Sequence, residues 1–119
     1  MITALLLAAA TPSAAHPRWM VGDWCYPAGR PLRLRQGDAF DGDEVTTYRA
    51  NGRWSDELEG GRWRIEGNRL IEQRTVVEPD ALGTGERVRA TWVTRFVRHG
   101  RYAMAMTGQR RGWAVRCPW

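Results

Sequence analysis

The sequence predicts an all-β protein, a single antiparallel up-and-down barrel of eight or nine strands, with a two-sheet sandwich as the alternative. Three observations carry that expectation. Short segments of alternating polarity follow one another with no helical stretch between them. Tight-turn signals separate these segments, the strongest being Asn51-Gly52 between two alternating runs. Two cysteines, Cys25 and Cys117, stand near opposite ends of the region that would fold.

Residues 1–15, MITALLLAAATPSAA, read as a signal peptide. The apolar run from Ile2 to Ala10 is far shorter than the ~20 residues that cross a bilayer as a helix. Ser13 and Ala15 suit the −3 and −1 positions of a cleavage site, so residues 16–119 are expected as one β-barrel domain with no membrane span, periplasmic or secreted. The strand segments that follow are 18–26, 31–36, 43–50, 53–59, 62–66, 69–78, 86–98, 101–107 and 112–117. Tight turns are expected at Asn51-Gly52, Gly60-Gly61, Gly67-Asn68 and His99-Gly100, and looser connections at GDAFDG, PDALGTG and GQRRG.

Alternation assigns faces. Trp63 and Ile65 oppose Arg62, Arg64 and Glu66; Val88, Ala90, Trp92 and Phe96 oppose Arg87, Arg89 and Arg95. Tyr102, Met104 and Met106 oppose Arg101 and Thr107, and Leu32 and Leu34 oppose Arg33 and Arg35. One face is therefore apolar and rich in Trp, the other rich in Arg, as in a sheet curled around one core. In an exported domain two cysteines read as a disulfide. A Cys25–Cys117 bond would put the first strand beside the last, which an up-and-down sheet allows only if it closes; a sandwich could also bring its termini together.

Gly22-Asp23-Trp24 resembles the Gly-x-Trp of lipocalin-like and avidin-like barrels, in which the Trp packs across a closed end. TTYRANGRW followed by GGRWRIEGNRL resembles the repeating pattern of small bacterial lipocalin-like domains. The resemblance covers about half the chain and implies an exported barrel with a pocket for a small molecule; it carries over no catalytic residue. The sequence departs from larger lipocalins in having no C-terminal helix and a short first segment, which argues against a roomy cavity.

Composition narrows the function. With 43% hydrophobic and 26% charged residues, the chain is neither disordered nor a polytopic membrane protein, and its net charge of +5 comes entirely from arginine. Beyond residue 15 there is one Ser, Ser55, one internal His, His99, and no Lys, which leaves nucleophilic and metal-dependent hydrolysis without a residue set. The carboxylates Asp38, Asp41, Asp43 and Glu44 lack the spacing of a Ca²⁺ loop. No enzyme activity, cofactor or metal is expected. Glu72 and Arg74 share a face with Leu70 and Val76, so one or both could point inward, as a buried pair or a ligand hook, with simple exposure as the alternative. With Trp24, Trp63, Trp92 and Tyr102 they form the candidate ligand pocket. Nucleic acid is a poor partner, because the Trp residues lie on the face opposite the arginines.

The expected function is thus a non-enzymatic binding module for a small apolar ligand or an anionic envelope component. The alternative is a periplasmic inhibitor or immunity-type protein that binds a partner protein, which for a chain of charge +5 would be acidic.

Overall fold

The structure, a computed structural model, describes residues 15–27, 44–78 and 85–119. Eight antiparallel strands close into one barrel: β1 (Gly22–Cys25), β2 (Val45–Tyr48), β3 (Arg53–Ser55), β4 (Gly60–Glu66), β5 (Arg69–Glu78), β6 (Glu86–His99), β7 (Ala103–Gly108) and β8 (Gly112–Arg116). Each strand pairs with the next, and β1 pairs with β8 through Trp24↔Arg116 and Cys25↔Val115. Closure removes both sheet edges and rules out the sandwich. Cys25 and Cys117 are bonded, with their Cα atoms 5.2 Å apart. The bond lies with Val115, Val45 and Ala103 in a small apolar cluster separate from the main core.

That main core holds Trp24, Tyr48, Trp54, Trp63, Leu70, Phe96, Met104, Met106 and Ala114, contributed by alternate positions of the strands. Each buried indole donates its N–H to a backbone carbonyl: Trp24 to Met20 at 2.8 Å, Trp54 to Gln73 at 3.1 Å and Trp63 to Arg49 at 2.9 Å. Residues 16–21 cover one end. Met20 is fully buried among the core rings, His16 stacks edge-on against Trp63, and the Arg116 guanidinium gathers the carbonyls of Val21 and Trp19.

Several sequence expectations are corrected. The first strand begins at Gly22, not at residue 18, because 18–20 form a turn that drops Met20 into the core. The third ends at Ser55, and the reversal after it is Asp56–Glu59, where the Asp56 carboxylate accepts the N–H groups of Leu58 and Glu59, each at 2.8 Å. Gly60-Gly61 is therefore no turn but the start of β4. Its glycines answer a different need, since a Cβ on Gly61 would lie 1.9 Å from the Gln73 carbonyl oxygen and one on Gly60 2.8 Å from that of Trp54. The His99-Gly100 turn sits one residue later, with His99 ending β6 and Gly100 in the left-handed conformation. The turns at Asn51-Gly52 and Gly67-Asn68 form where expected. The signal-peptide run, segment 31–36 with Leu32 and Leu34, and Asp38, Asp41 and Asp43 lie outside the described residues.

Candidate functional site

The interior site grows from β5. Its alternation places Leu70, Glu72 and Arg74 on the inner face, and all three are buried, Glu72 completely and Arg74 with 7% of its surface exposed. A carboxylate cannot be left bare there. The Arg110 Nε donates to Glu72 Oε1 at 2.7 Å and its Nη2 to Oε2 at 2.9 Å, a two-pronged grip, while the Tyr48 hydroxyl donates to Oε2 at 3.0 Å. Arg110 arrives from the connection between β7 and β8, where its own N–H donates to the Thr94 hydroxyl at 3.3 Å. Arg74 reaches the Asp56–Glu59 turn: its Nε donates to Glu59 at 2.8 Å and its Nη2 lies 3.5 Å from Asp56. Its guanidinium is sandwiched between the rings of Trp54, 4.3 Å away, and Trp92, 3.9 Å away.

The electrostatics follow. Burial opposes the charge on Arg110, but the hydrogen bonds to Glu72 and the neighbouring Tyr48 and Tyr26 outweigh it and hold the guanidinium pKa above its ordinary value. Burial, then the nearby Tyr26 and Glu72, push the Tyr48 phenol well above its usual range, and burial raises Tyr26 as well. Two guanidiniums are thus matched by three carboxylates, and the open valence is small: Arg74 Nη1, 3.7 Å from Glu72, is buried without a hydrogen bond. The arrangement clamps β3, β5 and the β7–β8 connection together.

Of the expected pocket residues, the fold brings Trp24, Trp63, Glu72, Arg74 and Trp92 to the inner face. Tyr102 is not among them. It lies in the turn before β7, 49% exposed, so the inward alternation starts at Met104. It borders a groove of about 580 Å³ on the outer wall with Asp23, Arg116, Cys117 and Trp119. Ser55 and His99 sit on β3 and β6, strands that do not pair, and each has another contact: Ser55 accepts from Arg49 at 2.9 Å and His99 lies edge-on to Trp113. Among the described residues no group of three or more His, Cys, Asp or Glu is placed to hold a metal ion.

The sequence reading missed Arg110 and Tyr48. Tyr48 had a usable signal, its place in an alternating run beside Thr46; Arg110 had none, since a loop carries no periodicity.

On the outer wall the arginines of β3, β4 and β6 face solvent. Arg53 and Arg62 are directly opposite one another across the β3–β4 ladder, and Arg89 is opposite Thr75 across β5–β6. A cleft of about 290 Å³ lies between them, lined also by Gly60, Gly61 and Gln73, with Arg74 behind. None of Arg53, Arg62 and Arg89 has an ion-pair partner among the described residues, whereas Arg64 and Arg69 share Glu66. No protein family, no curated protein sequence and no solved structure matches the chain.

Proposed function

We propose that the protein is an exported, non-enzymatic barrel of lipocalin-like type that binds an anionic component of the cell envelope through its wall, not a small apolar molecule in its lumen. One observation carries this reading. The inner arginines Arg74 and Arg110 are matched by Glu72, Asp56 and Glu59, while the outer Arg53, Arg62 and Arg89 have no ion-pair partner among the described residues. An eight-stranded barrel has an interior that side chains fill or that holds one small ligand, and here Trp24, Trp54, Trp63 and the charge network occupy it. Export is supported by the disulfide in a small domain.

Titrating the protein with lipopolysaccharide micelles, with zwitterionic lipid micelles and with a fatty acid, followed by tryptophan fluorescence, tests the reading. Binding is expected to the anionic micelles alone and to weaken steeply as salt shortens the screening length from roughly 30 Å to roughly 8 Å. Stoichiometric uptake of the fatty acid would overturn it.

A second reading, an inhibitor or immunity-type protein, is favoured by Leu58. It is 95% exposed at the tip of the turn that Asp56 ties down, an apolar knob on a rigid loop. Under this reading Leu58→Asp abolishes capture of an acidic partner protein and leaves micelle binding unchanged.

A further inference from the structure

Resting on the envelope-binding reading, we infer that the cleft between Arg53, Arg62 and Arg89 is a phosphate site, shaped for a phosphate monoester carried on a sugar. The first argument is register. Arg53 and Arg62 are paired directly across two strands, an arrangement that places like charges side by side and destabilises a ladder unless something neutral or negative sits between them. The carboxylates that could have done so are turned away: Asp56 and Glu59, in the adjoining turn, point inward to Arg74. No acidic residue lines the cleft among the described residues. The third cation, Arg89, comes from β6 on the far side of Gln73 and Thr75.

The second argument is shape. Gly60 and Gly61 line the cleft with backbone alone, since the β3–β4–β5 packing leaves no room for a Cβ at either position. Arg53, Arg62 and Arg89 share the lining with Gln73 and Thr75, residues whose amide and hydroxyl are neutral donors. The cleft's volume of about 290 Å³ is close to the ~300 Å³ at which small-ligand sites begin, more than a bare anion fills. The third argument is valence. A carboxylate is satisfied by one guanidinium fork, whereas three forks on one cleft suit a group with three acceptor oxygens and a charge near −2.

The test is calorimetric titration of the full chain with a hexose 1-phosphate, with inorganic phosphate and with the neutral hexose, on the wild type, on Arg53→Gln/Arg62→Gln, on Arg89→Gln, and on a control with the same charge loss elsewhere, Arg101→Gln/Arg111→Gln. The hexose 1-phosphate should bind the wild type, and the paired cleft variant should lose about tenfold or more in affinity while the control loses about twofold or less. Arg89→Gln should show a smaller loss of the same kind. Inorganic phosphate binding as tightly as the sugar phosphate would keep the site and reassign its ligand to free phosphate. Equal losses in cleft and control variants would overturn the site and leave a diffuse anionic attraction in place. Lipopolysaccharide binding without any phosphate binding would likewise remove the site alone; failure of both would remove the envelope reading with it. Unfolding midpoints at or above the wild type's show that the cleft variants are folded.

Discussion

Arg74 and Arg110 inside the barrel and Arg53 and Arg62 on its wall are the same side chain put to opposite uses. Inside, where an unpaired charge is expensive, Arg110 grips Glu72 with two hydrogen bonds, and Arg74, its guanidinium between two indole rings, donates to Glu59. Outside, Arg53 and Arg62 face each other, and among the described residues no carboxylate lines the cleft beside them. Water and salt tolerate that crowding at small cost. The difference teaches where each region's energy goes: the inner pairs hold strands together, and the outer ones add little to the fold.

Arg110→Leu attacks the inner half of the comparison. It leaves the Glu72 carboxylate buried without its main partner and is expected to cost about 3–5 kcal/mol in urea unfolding, whereas Arg62→Leu outside should change stability by no more than about 0.5 kcal/mol. Adding Glu72→Leu to Arg110→Leu should restore most of the loss. A cost below about 1 kcal/mol for Arg110→Leu would mean the network is not what joins the strands.

Tyr48→Phe removes one hydrogen bond to the same carboxylate and should cost about 1.5–3 kcal/mol. It also carries a pH signature. The folded pKa of Tyr48 lies above its unfolded value of about 10, so its contribution is complete below that pH and is lost as pH rises toward the folded value. Stability should therefore bend downward above about pH 10, and the phenylalanine variant should flatten the bend to what Tyr26 still supplies.

At the acid end the relevant group is on the outer groove. The Trp119 indole and Thr47 hydroxyl donate to Asp23 and hold its carboxyl below the usual range, so its contribution is present above the ordinary carboxylate pKa and fades as pH falls through the depressed one. Asp23→Asn should shallow the acid limb of the unfolding profile.

The smallest effect has the opposite sign. Arg62→Gln relieves the cross-strand repulsion with Arg53 and should raise stability by roughly 0.2–0.5 kcal/mol, a gain that shrinks in high salt. A loss instead would place a stabilising partner on Arg62.

How far the sequence reached follows from which forces leave a periodic trace. On β6, Trp92 and Phe96 turn inward and Arg87, Arg89 and Arg95 outward, because burial imposes period two on a strand. The bonded cysteines were legible from their number and placement and closure from that bond, whereas alternation left open whether one or both of Glu72 and Arg74 turn inward. Gly60-Gly61 was misread because glycine signals both a reversal and a close approach, and only the position of the Gln73 carbonyl separates the two. Arg110 was invisible because its place in the core is decided by Glu72, a residue 38 positions away in sequence. The juxtaposition of Arg53 and Arg62 depends on register, which becomes readable only once the reversal is placed at Asp56–Glu59.

Strands β2 to β7 each find both neighbours next to them in sequence, but β1 finds one of its partners only when β8 arrives, across a gap of 92 residues at the cysteines. A ribosome or an export channel releases the chain from its beginning. Gly22–Cys25 must therefore wait, with one side unclaimed, until Gly112–Arg116 has emerged. Long-range pairing of this kind is slow, so every copy passes through an interval in which the sheet is open and can accept a strand from another chain. The order of synthesis thus sets a period of vulnerability that ends only with the last strand.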